Sequence, residues 1–327
     1  MNVERISGAE KRFYSRILRE TVVNTIVYFD IFKYPLKIDE VIAFMGISGF
    51  MRDEVQGALD ELTAHSIVSK IEDFYSLHDD NEKVSRRLKG NIEAAKHMPM
   101  AMRWARFISN FPFVRGVLIS GSLSKGYMDE KSDLDFFIIT ASGRLWITRM
   151  LLVVFKRIFL FGSHKNFCVN YFVDSDNPKI AEENIFTATE LATLIPLYGV
   201  EEYNKLVRSN LWLREYLPNW QKKSLNGVPK SRAKGVKKLL ECVIDHCSPK
   251  KLNDQFRELT AMRWKRLYEK EYNKGDFDVV FKSNEHVSKN HPRNFQKKVL
   301  TVYQQKIDGV QLRLTEFYSY QVTKSAV

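Results

Sequence analysis

The feature that most constrains this chain is a pair of aspartates next to an apolar run, within ISGSLSKGYMDEKSDLDFFII (119–139). Alternate residues of a β-strand point to the same side, so a strand that includes both aspartates places Asp133 and Asp135 on one face. Two buried carboxylates close together raise each other's pKa and destabilise the fold unless another group compensates their charge. A strand end with two solvated acids is the simpler alternative, but the apolar residues 136–139 follow directly and disfavour it.

A Gly-Ser pair before the aspartates adds features suited to phosphate binding. A glycine in the turn after a strand lets a ligand approach the backbone, and N–H groups there can hold phosphate oxygens. Ser122 adds a hydroxyl group and Lys125 adds a cation. The carboxylates of Asp133 and Asp135 are hard oxygen ligands of the kind that Mg²⁺ prefers. The turn at Gly121 and the two aspartates therefore form the two halves of a candidate site.

At these residues the sequence resembles the DNA polymerase β-like nucleotidyltransferase superfamily. The signature of that family is an apolar residue, Gly-Ser, a loop and Asp-x-Asp. The matching stretches are SGS (120–122), KG (125–126) and SDLD (132–135), with Lys125 where an arginine is common. The resemblance covers residues 119–139, and the flanking strands and helices through about 175 agree with it only in their order.

The resemblance implies a Mg²⁺-dependent transfer of a nucleoside monophosphate from an NTP to an acceptor hydroxyl, with release of pyrophosphate. Asp133 and Asp135 are then the catalytic, metal-binding residues, and Gly121, Ser122 and Lys125 bind the triphosphate. Cations that clamp the attacking and leaving oxygens, with a protein that positions the reactants, are sufficient chemistry for such a step. The acceptor stays open among a small molecule, a protein side chain and RNA, and the base of the NTP stays open too.

The third acid of the family is missing from its usual strand. Asn170, in the predicted strand NFCVNYFVD, takes the expected position, and a neutral amide oxygen binds a cation less strongly than a carboxylate. Asp174 lies four residues further along the strand, about 13 Å away. Glu190 is a third candidate if its segment folds back. The rival hypothesis is a catalytically weak or inactive nucleotidyltransferase-like protein that binds nucleic acid or a partner protein.

The N-terminal residues 1–85 predict a separate module. Three amphipathic segments between residues 16 and 68 predict helices, and SKIEDFYSL predicts a hairpin that turns at Glu72 and Asp73. This order resembles the winged helix-turn-helix family. Its third helix, however, carries four acids against Arg52, and acids on a groove-facing helix oppose DNA binding. A docking or structural role is therefore favoured over DNA binding.

The remaining chain predicts two further regions. Apolar strands that alternate with helices in residues 86–225 predict a mixed α+β core with a nucleotidyltransferase-like sheet, and HDDNEKVSRRLKG (78–90) predicts a charged connector before it. Residues 226–327 predict a basic helical region. Residues 222–327 hold 23 Lys and Arg against 11 Asp and Glu, which accounts for the whole net charge of +12. Such a surface can attract phosphate-bearing partners or be an ordinary solvated helical surface.

Cysteine usage predicts reduced thiols and a cytoplasmic setting. Three cysteines in a chain of 327 residues do not form a disulfide framework. Cys242, His246 and Cys247 lie close in CVIDHC, but no second pair of ligands lies at a zinc-like spacing. The sequence therefore favours an ordinary helix there over a metal site.

No segment predicts a membrane span. The most apolar run, LWITRMLLVVFKRIFLF (145–161), is too short for a comfortable span and contains Arg149, Lys156 and Arg157. A buried helix with cations that extend to its edge explains it better. The polar stretch 1–16 predicts no secretory signal.

Overall fold

A computed structural model describes residues 8–161 and 167–325. The N-terminal part consists of α1 (Gly8–Asp30), α2 (Ile38–Phe44), α3 (Arg52–Ala64) and a hairpin of β1 (Ser69–Ile71) and β2 (Phe74–Ser76). This confirms the predicted order of three helices and a hairpin. On α3, Val55, Leu59 and Leu62 recur at helical spacing and are fully buried, so one apolar face holds this helix in the N-terminal core.

The predicted connector at 78–90 is wrong, because most of it belongs to a long helix. Helix α4 (Asn81–Ile108) begins directly after Asp80, whose carboxylate accepts hydrogen bonds from the backbone N–H groups of Glu82 and Lys83. These bonds satisfy donors that a helix start otherwise leaves unpaired. Of the charged residues that suggested a linker, Glu82 and Lys89 are exposed on this helix, whereas Lys83 and Arg87 are buried and pair with Asp30 and Glu40 of the N-terminal part.

A mixed five-stranded sheet forms the centre of the molecule. Its strands are β3 (Val114–Ile119), β4 (Asp135–Thr140), β5 (Cys168–Asp174), β6 (Ile195–Tyr198) and β7 (Val287–Lys289), in the order β6-β3-β4-β5-β7. Strands β4 and β5 are parallel, joined through α6 (Leu145–Phe159), and the other neighbours are antiparallel. The mixed α+β class is therefore confirmed.

The remaining helices lie between residues 121 and 325. They are α5 (Gly121–Ser124), α7 (Ile185–Thr193), α8 (Val200–Ser209), α9 (Leu213–Tyr216), α10 (Gly235–Asp245), α11 (Pro249–Tyr268), α12 (Lys274–Val280) and α13 (Phe295–Ser325), with a 3₁₀ turn at Glu269–Glu271. The basic C-terminal region is helical as predicted. It also supplies β7 to the sheet and α13 to the N-terminal core.

Alternating side chains divide the sheet between two cores. Val117, Phe136 and Ile138 pack with α4, α6 and α11 on one face. Leu118 and Phe137 pack with α7, α8 and α9 on the other face. The apolar run before and after the turn at Gly121 is therefore buried on both sides, which fixes the positions of the strand ends where polar residues lie.

The apolar run at 145–161 forms the helix α6 as predicted, but this helix is only partly buried: Val154, Ile158 and Phe159 are exposed, and two of the cations that were expected at its edge are buried. Arg149 and Lys156 are among its buried residues, and Arg157 is exposed. Within residues 8–161 and 167–325, no helix has the length and apolarity needed to cross a membrane. In the same residues, no group of three His, Cys, Asp or Glu side chains is arranged to hold a metal ion, so Cys242, His246 and Cys247 do not form one.

Candidate functional site

The turn after β3 lies against the first residue of β4. The backbone N–H of Ser120 donates to the carbonyl of Asp135 at 3.0 Å, which fixes the turn beside the strand. Gly121 has a φ of +65°, and a Cβ atom there would collide with the carboxylate of Asp135. Glycine is therefore required twice, for its left-handed backbone and for the close approach of this carboxylate.

The neighbours of Asp135 do not fully offset the effect of burial on its carboxylate. Its pKa is raised to about 6, mainly by burial and to a smaller extent by the negative charges of Asp133 and Glu190, while a hydrogen bond from the thiol of Cys168 and the charge of Lys125 oppose the shift. Such a shift means that the surroundings disfavour the charged form. Perturbed acids of this kind concentrate at functional sites.

Asp133 does not lie in the strand. The sequence placed both aspartates on one face of a strand, but β4 begins at Asp135, and Asp133 lies in the irregular segment before it. The turn residues 126–132 and the buried Leu134 fix this segment ahead of the strand instead. Its half-buried carboxylate is still close enough to affect the pKa of Asp135.

Lys125 lies at the turn as predicted, but it is held by an ion pair. Its ammonium group donates to the carbonyl of Gly121 at 3.2 Å and to the carboxylate of Glu190 on α7 at 2.8 Å. The hydroxyl of Tyr34, from the N-terminal part, donates to the backbone carbonyl of Lys125 at 3.1 Å. Ser122 is half-buried on α5, next to Gly121. The turn therefore has neighbours from the sheet, from α7 and from the N-terminal helices.

The three candidates for a third acid occupy different places. Asn170 lies near the start of β5, where it is the extra residue at an irregularity in the β4–β5 pairing, and its amide donates to the sulfur of Cys168 at 2.8 Å. Cys168 itself pairs with Asp135. Glu190 is close enough to Asp135 for its charge to raise the pKa of that residue, and it forms an ion pair with Lys125.

Asp174 is at the opposite end of the strands. It pairs with Thr140, five residues along β4 from Asp135, which is roughly 17 Å of extended strand. Asp174 is fully buried and accepts hydrogen bonds at 2.8 Å from the backbone N–H groups of Gly143 and Asp176. These bonds give it a structural role in the turn before α6, away from the site.

Three further residues lie next to the site, although the sequence does not mark them as part of it. Cys168 is buried, and burial raises the pKa of its thiol, which stays protonated beside Asp135. Lys156 of α6 lies near both aspartates, and burial lowers its pKa while their charges oppose that shift. Tyr34 contacts the turn. The signal for Lys156 was its spacing of four from Leu152 on the apolar face of α6.

The residues present fit a divalent cation that takes most of its ligands from outside the protein. Asp133 and Asp135 supply two hard oxygen donors. The raised pKa of Asp135 reflects its burial first and the nearby negative charges of Asp133 and Glu190 second, and a bound cation would offset both effects. Among the described residues, no third His, Cys, Asp or Glu side chain joins these two in an arrangement that could hold a metal ion.

Comparison with family models, with curated proteins and with solved structures gives no match to this chain. The interpretation of the site therefore rests on its own geometry and on the resemblance of its motif.

Proposed function

We propose that this protein is a Mg²⁺-dependent nucleotidyltransferase that transfers a nucleoside monophosphate from an NTP to an acceptor hydroxyl. The observation that carries the proposal is the contact between the Gly121 turn and the carboxylate of Asp135, with Asp133 beside it. Backbone N–H groups at a turn can bind phosphate oxygens, and two carboxylates beside the turn can bind the cation that accompanies a triphosphate.

In this proposal each residue of the motif has a separate task. Asp133 and Asp135 hold Mg²⁺, which neutralises charge on the triphosphate when it is bound. The backbone at Gly121 and the hydroxyl of Ser122 bind and orient the distal phosphates, and Lys125 contributes a positive charge. The oxygen of the acceptor hydroxyl bonds to the α-phosphorus, the bond from that phosphorus to the pyrophosphate breaks, and the hydroxyl proton is released to water.

Topology supports a nucleotidyltransferase-like core with a winged-helix-like N-terminal module. The Gly-Ser turn follows a strand antiparallel to the one that begins at Asp135, and the next strand is parallel to it. On the third helix of the module, Arg52 pairs with Asp39, and Asp53 and Glu54 are exposed. These charges favour docking of the module over DNA binding. The contact from Tyr34 to the turn supports an internal docking role.

The second candidate is a catalytically weak or inactive protein of the same fold that binds a protein or a nucleic acid. Asn170 and Cys168 favour it, because neither supplies a carboxylate from β5 beside Asp135. Cys168, Cys242 and Cys247 form no disulfide bond among the described residues, which supports a reducing, cytoplasmic setting for either candidate.

Label transfer from α-labelled NTPs tests the proposal. The wild type is incubated with each NTP and Mg²⁺, with and without cell extract as a source of acceptors, beside Asp133→Asn and Asp135→Asn. Asp278→Asn, which changes an exposed aspartate of α12, is the matched control. We expect transfer by the wild type and the control, and a loss of at least about a hundredfold in both site variants, equivalent to about 2.7 kcal/mol. Absence of transfer from every NTP would favour the second candidate.

A further inference from the structure

Helix α10 presents its apolar side chains to solvent. Val236, Leu239, Leu240 and Val243 recur at the spacing of one helical face, and their exposed fractions are 72%, 64%, 42% and 53%. A helix of a folded domain ordinarily turns such a face towards the core. This stripe is therefore an exposed apolar surface that the folding of the described chain leaves uncovered, and such surfaces mark interaction sites.

Two charged residues hold α10 in this orientation. Lys237 is buried, and its ammonium group donates to the carbonyls of Ser109 at 2.8 Å and Val114 at 2.7 Å. Glu241, one turn further on, accepts hydrogen bonds from the backbone N–H of Phe113 at 2.6 Å and from the guanidinium group of Arg115 at 2.8 Å. Rotation of the helix to bury its leucines would break these bonds and leave buried charges unpaired, which is costly.

The chain before this stripe is strongly basic. Residues 217–240 contain no Asp or Glu. The exposed cations of this stretch are Lys222, Lys223, Lys230, Arg232, Lys234 and Lys238. Among them, Lys230 lies 3.5 Å from Glu201, a distant and exposed pair that leaves its charge largely available. Cations next to exposed aliphatic side chains are the two features of a peripheral membrane-binding helix.

We propose that α10 and the basic segment 221–235 dock on an anionic phospholipid surface. The aliphatic stripe enters the boundary between headgroups and acyl chains, and the lysines bind the phosphate headgroups. A second copy of this chain fits less well, because a two-fold contact through α10 sets the same basic segments against each other. A nucleic acid would use the lysines but leave the leucines exposed to water.

Vesicle sedimentation tests this docking with the full chain. The protein is mixed with vesicles of phosphatidylcholine, or of three parts phosphatidylcholine to one part phosphatidylglycerol. The variants are Leu239→Ser/Leu240→Ser and Lys234→Gln/Lys238→Gln. Their matched controls are Leu312→Ser on α13 and Lys265→Gln/Arg266→Gln on α11, which change exposed residues elsewhere. Circular dichroism checks that every variant is folded, as expected for changes at exposed positions.

We expect binding to the phosphatidylglycerol vesicles and at least tenfold weaker binding to phosphatidylcholine alone. The affinity of the leucine variant for the phosphatidylglycerol vesicles should be at least tenfold lower than that of the wild type. The affinity of the lysine variant should be about 25-fold lower, because each of its two lost cations contributes a factor of about five to the affinity for an anionic surface. Both controls should bind like the wild type.

Three outcomes would overturn the proposal. The first is no binding of the wild type to anionic vesicles, or binding that the leucine variant retains. The second is a dimer in solution that the leucine variant dissociates, which would assign the stripe to a second copy. The third is tight binding of duplex RNA or DNA that displaces the vesicles, depends on the lysines and is unaffected by the leucine variant.

Discussion

Asp30 is buried and Asp135 is half-buried, and the surroundings of these two carboxylates shift their pKa values in opposite directions. Burial alone would raise the pKa of Asp30, but hydrogen bonds from Lys306 and Lys83, each at 2.8 Å, outweigh it and hold the pKa below its ordinary value. At Asp135 the effect of burial prevails, the charges of Asp133 and Glu190 add to it, and the pKa is raised to about 6. The first carboxylate is stabilised by the chain, and the second is not.

The difference separates a structural carboxylate from a candidate functional one. Asp30 joins three elements, since Lys83 comes from α4 and Lys306 from α13. Glu241 follows the same pattern, because Arg115 and the backbone N–H of Phe113 overcome the effect of burial and lower its pKa. Acids with a raised pKa concentrate at functional sites, and this contrast with Asp30 and Glu241 supports our proposal that Asp135 binds a ligand.

The largest expected effect on stability is at Asp30. Asp30→Asn leaves the ammonium groups of Lys83 and Lys306 without their carboxylate, so we expect a loss of about 3 kcal/mol in the free energy of unfolding. Asp135→Asn removes an unfavourable charge and should leave stability unchanged or raised when Mg²⁺ is absent. Denaturant unfolding with EDTA present measures both, with Asp278→Asn as the control. Equal losses of unfolding free energy in Asp30→Asn and Asp135→Asn would contradict the distinction between a structural and a functional carboxylate.

The effect of Asp30 should also depend on pH. Its pKa is lowered in the folded state, so its contribution to stability is present above the unfolded pKa of about 3.9 and is lost as the pH falls through the lower folded value. The difference in stability between wild type and Asp30→Asn should therefore persist from neutral pH to about pH 4 and shrink in more acid solution. A difference that grows on acidification would contradict the pairing.

The next largest effect is expected at Gly121. Gly121→Ala forces an alanine into a left-handed backbone and moves a methyl group into the carboxylate of Asp135, at a cost of about 2 kcal/mol and with loss of NTP binding. Gly143→Ala is the matched control, since Gly143 has a φ of +61° and open space around its Cβ position. The control isolates the backbone cost. If the two variants lose equal stability and both bind NTP, the contact with Asp135 has no consequence.

A smaller effect is expected at Asn170. Asn170→Asp adds a carboxylate on β5 near Asp135, so Mg²⁺ should bind more tightly and transfer should rise by about tenfold, or about 1.4 kcal/mol of barrier. Label transfer and its Mg²⁺ dependence measure this beside Glu190→Gln. No gain from Asn170→Asp, with transfer abolished in Glu190→Gln, would identify Glu190 as the third acid.

Local patterns predicted much of the fold but not its long-range pairings. The apolar runs that became β3, β4, β5 and α6 are long and clear. Strands β6 and β7 are short, and Pro196 in β6 argues against a strand anywhere except at an edge, where β6 lies. The apolar pattern of helix α10 predicts the wrong buried face, because Lys237 and Glu241 are buried and its apolar side chains are exposed. Their partners lie more than a hundred residues earlier in the chain.

The candidate site was predictable where its residues are close in sequence. The spacing of Gly121 and Asp135 indicated that the turn and the carboxylate meet, and a glycine is needed there for the contact. The pairing of Lys125 with Glu190 was not predictable, because α7 reaches the turn only through packing against the sheet and the N-terminal helices. The position of Cys168 opposite Asp135 depends on the strand register, which the sequence does not specify.

Titration calorimetry of ATP and CTP tests the central claim most directly. The claim is that the turn at Gly121 and the carboxylates of Asp133 and Asp135 bind a nucleotide together with Mg²⁺. We expect the wild type and Asp278→Asn to bind one of the nucleotides in the presence of Mg²⁺. Chelation of Mg²⁺, Asp133→Asn and Asp135→Asn should each weaken binding by at least tenfold. Equal affinity in the wild type and both site variants, with the fold intact and regardless of Mg²⁺, would contradict the claim.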